Sequence, residues 1–296
     1  RAGFFQFGGP GRTASLEAAG AILRRFAAEP APARSIGVLT PSFGLLGAGL
    51  ADADPEVRAA AAREVGRLWA WAPGRALIPV EEQALTQWKQ GLLAAVVRLL
   101  GDPDPRGRVA AVACLGLLPI DAAAEPATAG LRDPDPRVRQ QTLVSFAGRR
   151  DLVTEEDIFA LLHDPNPVVT LIAAQVLKGG RGLSPEQVEL GKLVFHPRAE
   201  RRVAVIPRLL GRSDIDPNAW LLHLSHDPTE LVRAEVVTAL AGRDSTGIRR
   251  RLEEMARTDP SAAIRAAAGK LVPADADTTA ALPPLPGSAS LNPRAN

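Results

Sequence analysis

The chain has 296 residues, with 35 basic and 33 acidic side chains and a formal net charge of +2, a balance that gives little long-range attraction for nucleic acid. Hydrophobic residues make up 46% and aromatic ones 4%, with no Tyr, so the expected core is Ala, Leu and Val between helices rather than a sheet. A single cysteine, Cys114, excludes an internal disulfide and any multi-cysteine metal or iron–sulfur site, and no run of about 18 apolar residues offers a membrane span.

In chain order, Phe4, Phe5 and Phe7 come first. They read either as a cap contact or as a docking peptide for another protein or a membrane surface. Gly8 to Gly11 read as a flexible turn, and the apolar stretch near 15–27 as a capping helix. Residues 1–39 are therefore expected to form an N-terminal extension. The start on Arg1 rather than Met is read as a removed leader, an upstream anchor or a missing start. With the Phe-rich opening it tips the expected location toward the cell envelope or the periplasmic face of a membrane.

From residue 40 onward the chain repeats. Aligned on the first apolar slot after an Asp-Pro turn, the copies begin at Val57, Val109, Val138, Val169, Arg201, Val232 and Ile264, with spacings of 52, 29, 31, 32, 31 and 32. Positions four, five and eight residues further on are mostly apolar, as in Ala61, Ala62 and Val65 or Val236, Val237 and Leu240. Those offsets share one face of a helix. Asp54-Pro55, Asp104-Pro105, Asp135-Pro136, Asn166-Pro167, Asp227-Pro228 and Asp259-Pro260 supply a capping oxygen and a first-turn proline for six of the seven second helices. Thr40-Pro41, Ser184-Pro185 and Asp216-Pro217 open first helices the same way, and Thr154 heads a capping sequence. Gly148, Gly179, Gly211 and Gly242 lie ten residues past the slot, where left-handed C-caps are expected.

The recurring phrases "DPRVRQQTLVSFAG" and "DPTELVRAEVVTALAG" resemble the HEAT repeats, in their short bacterial form of about 30 residues. The resemblance covers roughly residues 40–272. It implies an all-α, right-handed α-solenoid of about seven helix-turn-helix repeats, with irregular N- and C-terminal extensions. It also implies that Arg58, Arg139, Arg202, Arg233 and Arg265 join the turn aspartates in a structural ladder, with Ala110 and Thr170 replacing the Arg in two repeats. The Arg-, Ala-, Gly- and Pro-rich composition fits a bacterial source.

Three departures from the repeat are candidate binding elements. The first spacing is long, and the extra material near 68–91 carries Trp69, Trp71 and Trp88, either as interior filling or as a projecting partner anchor. The fifth repeat has Arg201 in the apolar slot and Pro207 inside its second helix, where a kink is expected beside a basic surface of Arg198, Arg201 and Arg202. Residues 273–296 are rich in Pro, Ala, Ser and Thr and read as an extended tail.

Catalytic chemistry finds little support. His223 and His226 are three apart, but no spacing announces a third metal ligand, and solvated turn histidines are the plainer reading. No phosphate-binding or nucleophile motif stands in a fitting context, and no cofactor is expected. Short HEAT-like repeats also occur in lyases that attach bilin chromophores, but no local motif supports that activity. A basic nucleic-acid face is also weak, because Arg pairs alternate with Asp and Glu. The expected function is a non-catalytic protein-protein interaction scaffold, an accessory subunit bracing a larger complex, with a membrane-bound one among the options. Its expected partners are protein subunits, with no nucleic acid and no small-molecule substrate.

Overall fold

The computed structural model describes residues 6, 8–28, 39–69, 79–118, 124–212 and 215–272. The fold is all-α and solenoid-like. Among the described residues there are fifteen α-helices and no strand. Helices divide into two compact units, Arg1–Val153 and Thr154–Asn296.

The first unit holds α1 (Gly9–Ala28), α2 (Thr40–Leu50), α3 (Pro55–Trp69), α4 (Pro79–Arg98), α5 (Pro105–Gly116), α6 (Ala124–Gly130) and α7 (Pro136–Phe146). The second helices of successive repeats stack as α1 on α3, α3 on α5 and α5 on α7, while α2 packs on α4. The periodic stripe is the core: Val57, Ala61, Ala62, Val65, Val138, Leu143 and Phe146 are all almost fully buried. Each such Val or Leu contributes about 1.5–3 kcal/mol. Neighbouring repeats must supply the covering surface, because one helix pair is too small to bury its own stripe.

The second unit holds α8 (Glu155–Ala160), α9 (Pro167–Gln175) ending in a π-type turn, α10 (Pro185–Val194), α11 (Ala199–Leu210), α12 (Pro217–Leu224), α13 (Glu230–Leu240), α14 (Thr246–Thr258) and α15 (Ala262–Leu271). Caps at Thr154 and Ser184 are reciprocal capping boxes with Asp157 and Gln187. Asp104, Asp135, Asn166 and Asp216 cap as expected.

An arginine–aspartate ladder pins adjacent repeats together. Arg58 Nε and Nη2 donate to the two carboxylate oxygens of Asp102 at 2.6 and 2.7 Å, while its Nη1 donates to the carbonyls of Asp52 and Ala53 in its own turn. Arg108 clasps Asp133 the same way at 2.8 and 2.9 Å. In the second unit Arg202 clasps Asp227 and Arg233 clasps Asp259. Each aspartate also accepts a backbone N–H two residues on, so one carboxylate shapes its own turn and anchors the preceding helix. Bidentate pairing of this kind suits the planar guanidinium.

Several expectations need correction. The second repeat is displaced by two residues: Gly107, not Val109, holds the apolar slot, and Ala111, Val112 and Leu115 are buried while Leu117 is 62% exposed. The spacings then become 50 and 31, and the ladder Arg is Arg108 rather than missing at Ala110. Gly107 is required because a side chain there would overlap the Asp102 carboxylate, itself held by Arg58. Gly107→Val is expected to cost about 1–3 kcal/mol by forcing that pair apart, read as a lower urea midpoint at unchanged m-value.

Asp227 and Asp259 do not cap their helices; the N-caps are Thr229 and Ser261, and the aspartates serve the ladder instead. Thr40 is likewise no cap: it lies inside α2, whose N-cap is Leu39. Of the four expected left-handed glycines only Gly242 has positive φ, at 75°. Gly211 sits at φ −79°. Gly9 to Gly11 are no flexible turn but the first turn of α1, which stacks like any second helix, and Arg12 pairs with Asp52 at 2.9 Å. Glu64, almost fully buried, accepts from Arg24 of α1 at 2.5 Å and from Arg67, which further fastens α1 to α3.

Candidate partner-binding surface

The outward faces of the stacked second helices leave large apolar side chains uncovered. In the first unit, Leu117 and Val144 are each 62% exposed. A cleft of about 260 Å³ lies over α3, α5 and α7, floored by Val109, Ala110 and Ala113 and rimmed by Arg63, Arg106, Arg137 and Glu56. Its rim is charged but balanced: Arg63 and Arg106 lie 3.3 and 3.7 Å from Glu56, and Arg106 and Arg137 pair with Asp104 and Asp135. Hydrogen bonds from Arg106 and Arg137 hold those two carboxyls below their ordinary range. Such a rim sets register for a partner more than it adds affinity.

In the second unit the first helices close around an aromatic knot. Phe159 of α8, fully buried, stacks on Phe195 at 5.2 Å and meets Trp220 of α12 edge-on at 5.7 Å. Phe195 also lies 4.5 Å from the His223 ring, whose Nδ1 is 3.1 Å from Glu156. The hydrogen bond with His223 holds the Glu156 carboxyl below its ordinary value. His163 packs on His196 at 4.8 Å, and its Nε2 bonds the Lys192 carbonyl at 2.7 Å. Burial and the neighbouring His163 hold His196 below the ordinary imidazole range. His163 and His223 thus tie helices together, whereas His226 is an exposed turn residue, as expected. Among the described residues no group of three His, Cys, Asp or Glu side chains is placed to hold a metal ion. Cys114 is 2% exposed, and burial pushes its thiol up to about 12, the signature of an unreactive core thiol.

The residues singled out in the sequence are scattered by the fold. Trp88 stacks on Phe43 at 4.6 Å, which holds it between α2 and α4. Trp69 ends α3, with the Lys89 ammonium 5.8 Å from its ring centre. Burial lowers the Lys89 pKa. Both tryptophans are half-buried. Arg198 and Arg201 are exposed, but Arg202 is not part of their surface, being spent on Asp227. Pro207 is accommodated inside a continuous α11. Phe4, Phe5, Phe7, Trp71 and residues 273–296 lie outside the described residues. No helix among those described is long and apolar enough to cross a membrane.

A comparison with curated proteins finds no match for the chain. The family model for HEAT repeats matches residues 44–147, a stretch running from α2 to the end of α7 that contains the Arg58–Asp102 and Arg108–Asp133 pairs. Over that stretch the stacked pairs of α2 to α7 are similar to HEAT repeats, which are generally protein-interaction scaffolds.

Proposed function

We propose that this chain is a non-catalytic accessory subunit that braces a larger protein assembly through the outward faces of its second helices. The observation that carries this reading is the set of large apolar side chains left uncovered on or just past second helices whose other faces form the core stripe: Leu117, just past α5, and Val144 of α7 in one unit, and Val168 and Leu171 of α9 with Leu231 of α13 in the other. A rigid backbone lowers the ordering cost of binding, and apolar groups set among charged ones are what a partner interface needs at its centre. The polar clusters support the same reading, since each is engaged in holding helices together.

Affinity capture of the full chain from its own cells, followed by native mass spectrometry, tests it. The expected result is one or a few proteins at fixed stoichiometry, surviving at moderate salt. Recovery of the chain alone, or loss of every partner as salt rises from about 50 to 200 mM in the manner of phosphate-backbone contacts, contradicts it.

A further inference from the structure

The turns that precede the second helices seat the same kind of acceptor. Asp52, Asp102, Asp133, Asp164, Asp227 and Asp259 each accept the backbone N–H two residues on, at 2.8 to 2.9 Å. In the turn between α10 and α11 that seat belongs to His196, whose Nδ1 accepts the Arg198 N–H at 3.0 Å. This bond needs a neutral imidazole, because a protonated Nδ1 is a donor and has no lone pair to offer. A carboxylate in the seat stays an acceptor down to about pH 4, whereas an imidazole changes its character at about pH 6.5.

Two further features load this one bond. First, the step from α9 to this turn has no guanidinium clasp. Thr170 stands where the ladder arginine would be, and its hydroxyl donates to the Asp164 carbonyl of its own turn at 3.2 Å. In place of the clasp there is an imidazole pair: His163 meets His196 edge-on at 4.8 Å, and His163 Nε2 donates to the Lys192 carbonyl at 2.7 Å. Second, the next ladder arginine rests on the same turn. Arg202 Nη1 donates to the carbonyls of His196 and Pro197 at 2.7 and 3.0 Å, while its Nε and Nη2 clasp Asp227. The turn that His196 shapes therefore aims the arginine that fastens α11 to the following turn.

The groups facing His196 make a second proton unwelcome. They are His163 from the turn after α8, and Arg201 and Arg198 from α11. Lys192 of α10 meets the pair through its carbonyl. The carboxylates of the same elements are engaged elsewhere: Asp164 accepts the Asn166 N–H, Glu200 faces Arg198 at 3.7 Å, and Asp227 is held by Arg202.

We propose that His196 is a pH-sensitive joint in the second unit: taking up a proton breaks its bond to the Arg198 N–H, opens the turn and loosens the seat of Arg202, at pH values where the aspartate turns are unchanged. The sign follows from its surroundings. Burial first, then His163 and Arg201, hold His196 below the ordinary imidazole range in the folded chain. Such a group contributes stability that is whole above its unfolded pKa, about 6.5, and is lost as the pH falls through its folded value. The loss therefore begins below about pH 6.5, ahead of any change at the ladder carboxylates. His226 is also held low, by burial and by Arg251, but at its turn the acceptor is Asp227, so it serves as the control.

Hydrogen exchange of the full chain at about pH 7.5 and 5.0, corrected for the intrinsic pH dependence of exchange, tests the joint. In the native chain α10 and α11 are expected to lose protection at least about threefold at the lower pH, with α3 and α5 unchanged. His196→Asn keeps an oxygen for the Arg198 N–H and cannot titrate, so it should abolish the loss; His226→Asn should leave it in place. Thr170→Arg with His196→Asp supplies the missing clasp and should keep α10 and α11 equally protected at both pH values. Should a variant fail to fold, a proton NMR titration of the native chain reads the same bond: the Arg198 amide shift is expected to follow the His196 ring through its titration. Equal protection of α10 and α11 at both pH values in the native chain overturns the proposal. So does a loss that persists in full in His196→Asn, or an Arg198 amide that stays still while the His196 ring titrates.

Discussion

Asp102→Ala is expected to destabilise the first unit by about 3–5 kcal/mol, the cost of removing one member of a buried charged pair. The Asp102 side chain is 1% exposed and that of Arg58 14%. Deleting the carboxylate strands the Arg58 guanidinium between two helices and frees the Asp104 N–H that shapes the turn. Asp102→Asn keeps an oxygen for that N–H, so it should cost less and separate the turn from the clasp. Denaturant unfolding of the two variants reads the difference. A pH dependence follows from the same contact. Burial pushes the Asp102 carboxyl up, but hydrogen bonds from Arg58 and the Asp104 amide outweigh it, so the group titrates below its ordinary value; Asp227 and Asp259 behave alike. A carboxyl with a depressed folded pKa contributes stability that is whole above its unfolded pKa and is lost as pH falls. The ladder should therefore hold unchanged from about pH 5 to 8 and weaken below about pH 4. Steady loss of stability already between pH 8 and 5 in Asp102-dependent fashion would contradict it.

The second large effect belongs to the aromatic knot. Phe159→Ala is expected to cost about 3–5 kcal/mol, since a fully buried ring is lost together with its stacking on Phe195 and Trp220. Gly191 of α10 lies against that ring so closely that any Cβ would overlap it. Gly191→Ala alone should therefore destabilise by about 1–3 kcal/mol. In the Phe159→Ala background the same change enters the vacated space and should cost little. The cycle thus predicts a coupling energy above about 1 kcal/mol, measured by unfolding of the four proteins. Additive losses would mean that α8 and α10 do not pack through this pair.

What could be read in the sequence was whatever is local. Asp-Pro turns, capping boxes at Thr154 and Ser184, and the apolar stripe are set by residues a few positions apart, and they located most of the helices. Readings that needed a distant partner failed. Gly107 hides the slot of the second repeat because its small size answers to Asp102, five residues back and held from another helix by Arg58. Asp227 and Asp259 resemble caps because a full turn carries Asp-Pro twice, and only the partner arginine reveals which copy remains. Gly9 to Gly11 resemble a loop by composition, yet they begin a helix that Arg12 and Arg24 fasten to its neighbour. Thr170 and His196, which stand where one ladder step would have its arginine and aspartate, acquire meaning only once the ladder is known.

Hydrogen exchange across the full chain tests most directly whether neighbouring helix pairs stand or fall together through the ladder. Arg58→Ala is predicted to speed exchange in α3 and α5 together, with α7 following to a lesser degree, because the lost clasp is shared between repeats. Faster exchange confined to α3, with α5 as protected as before, would contradict a stack held by arginine and aspartate across its joints.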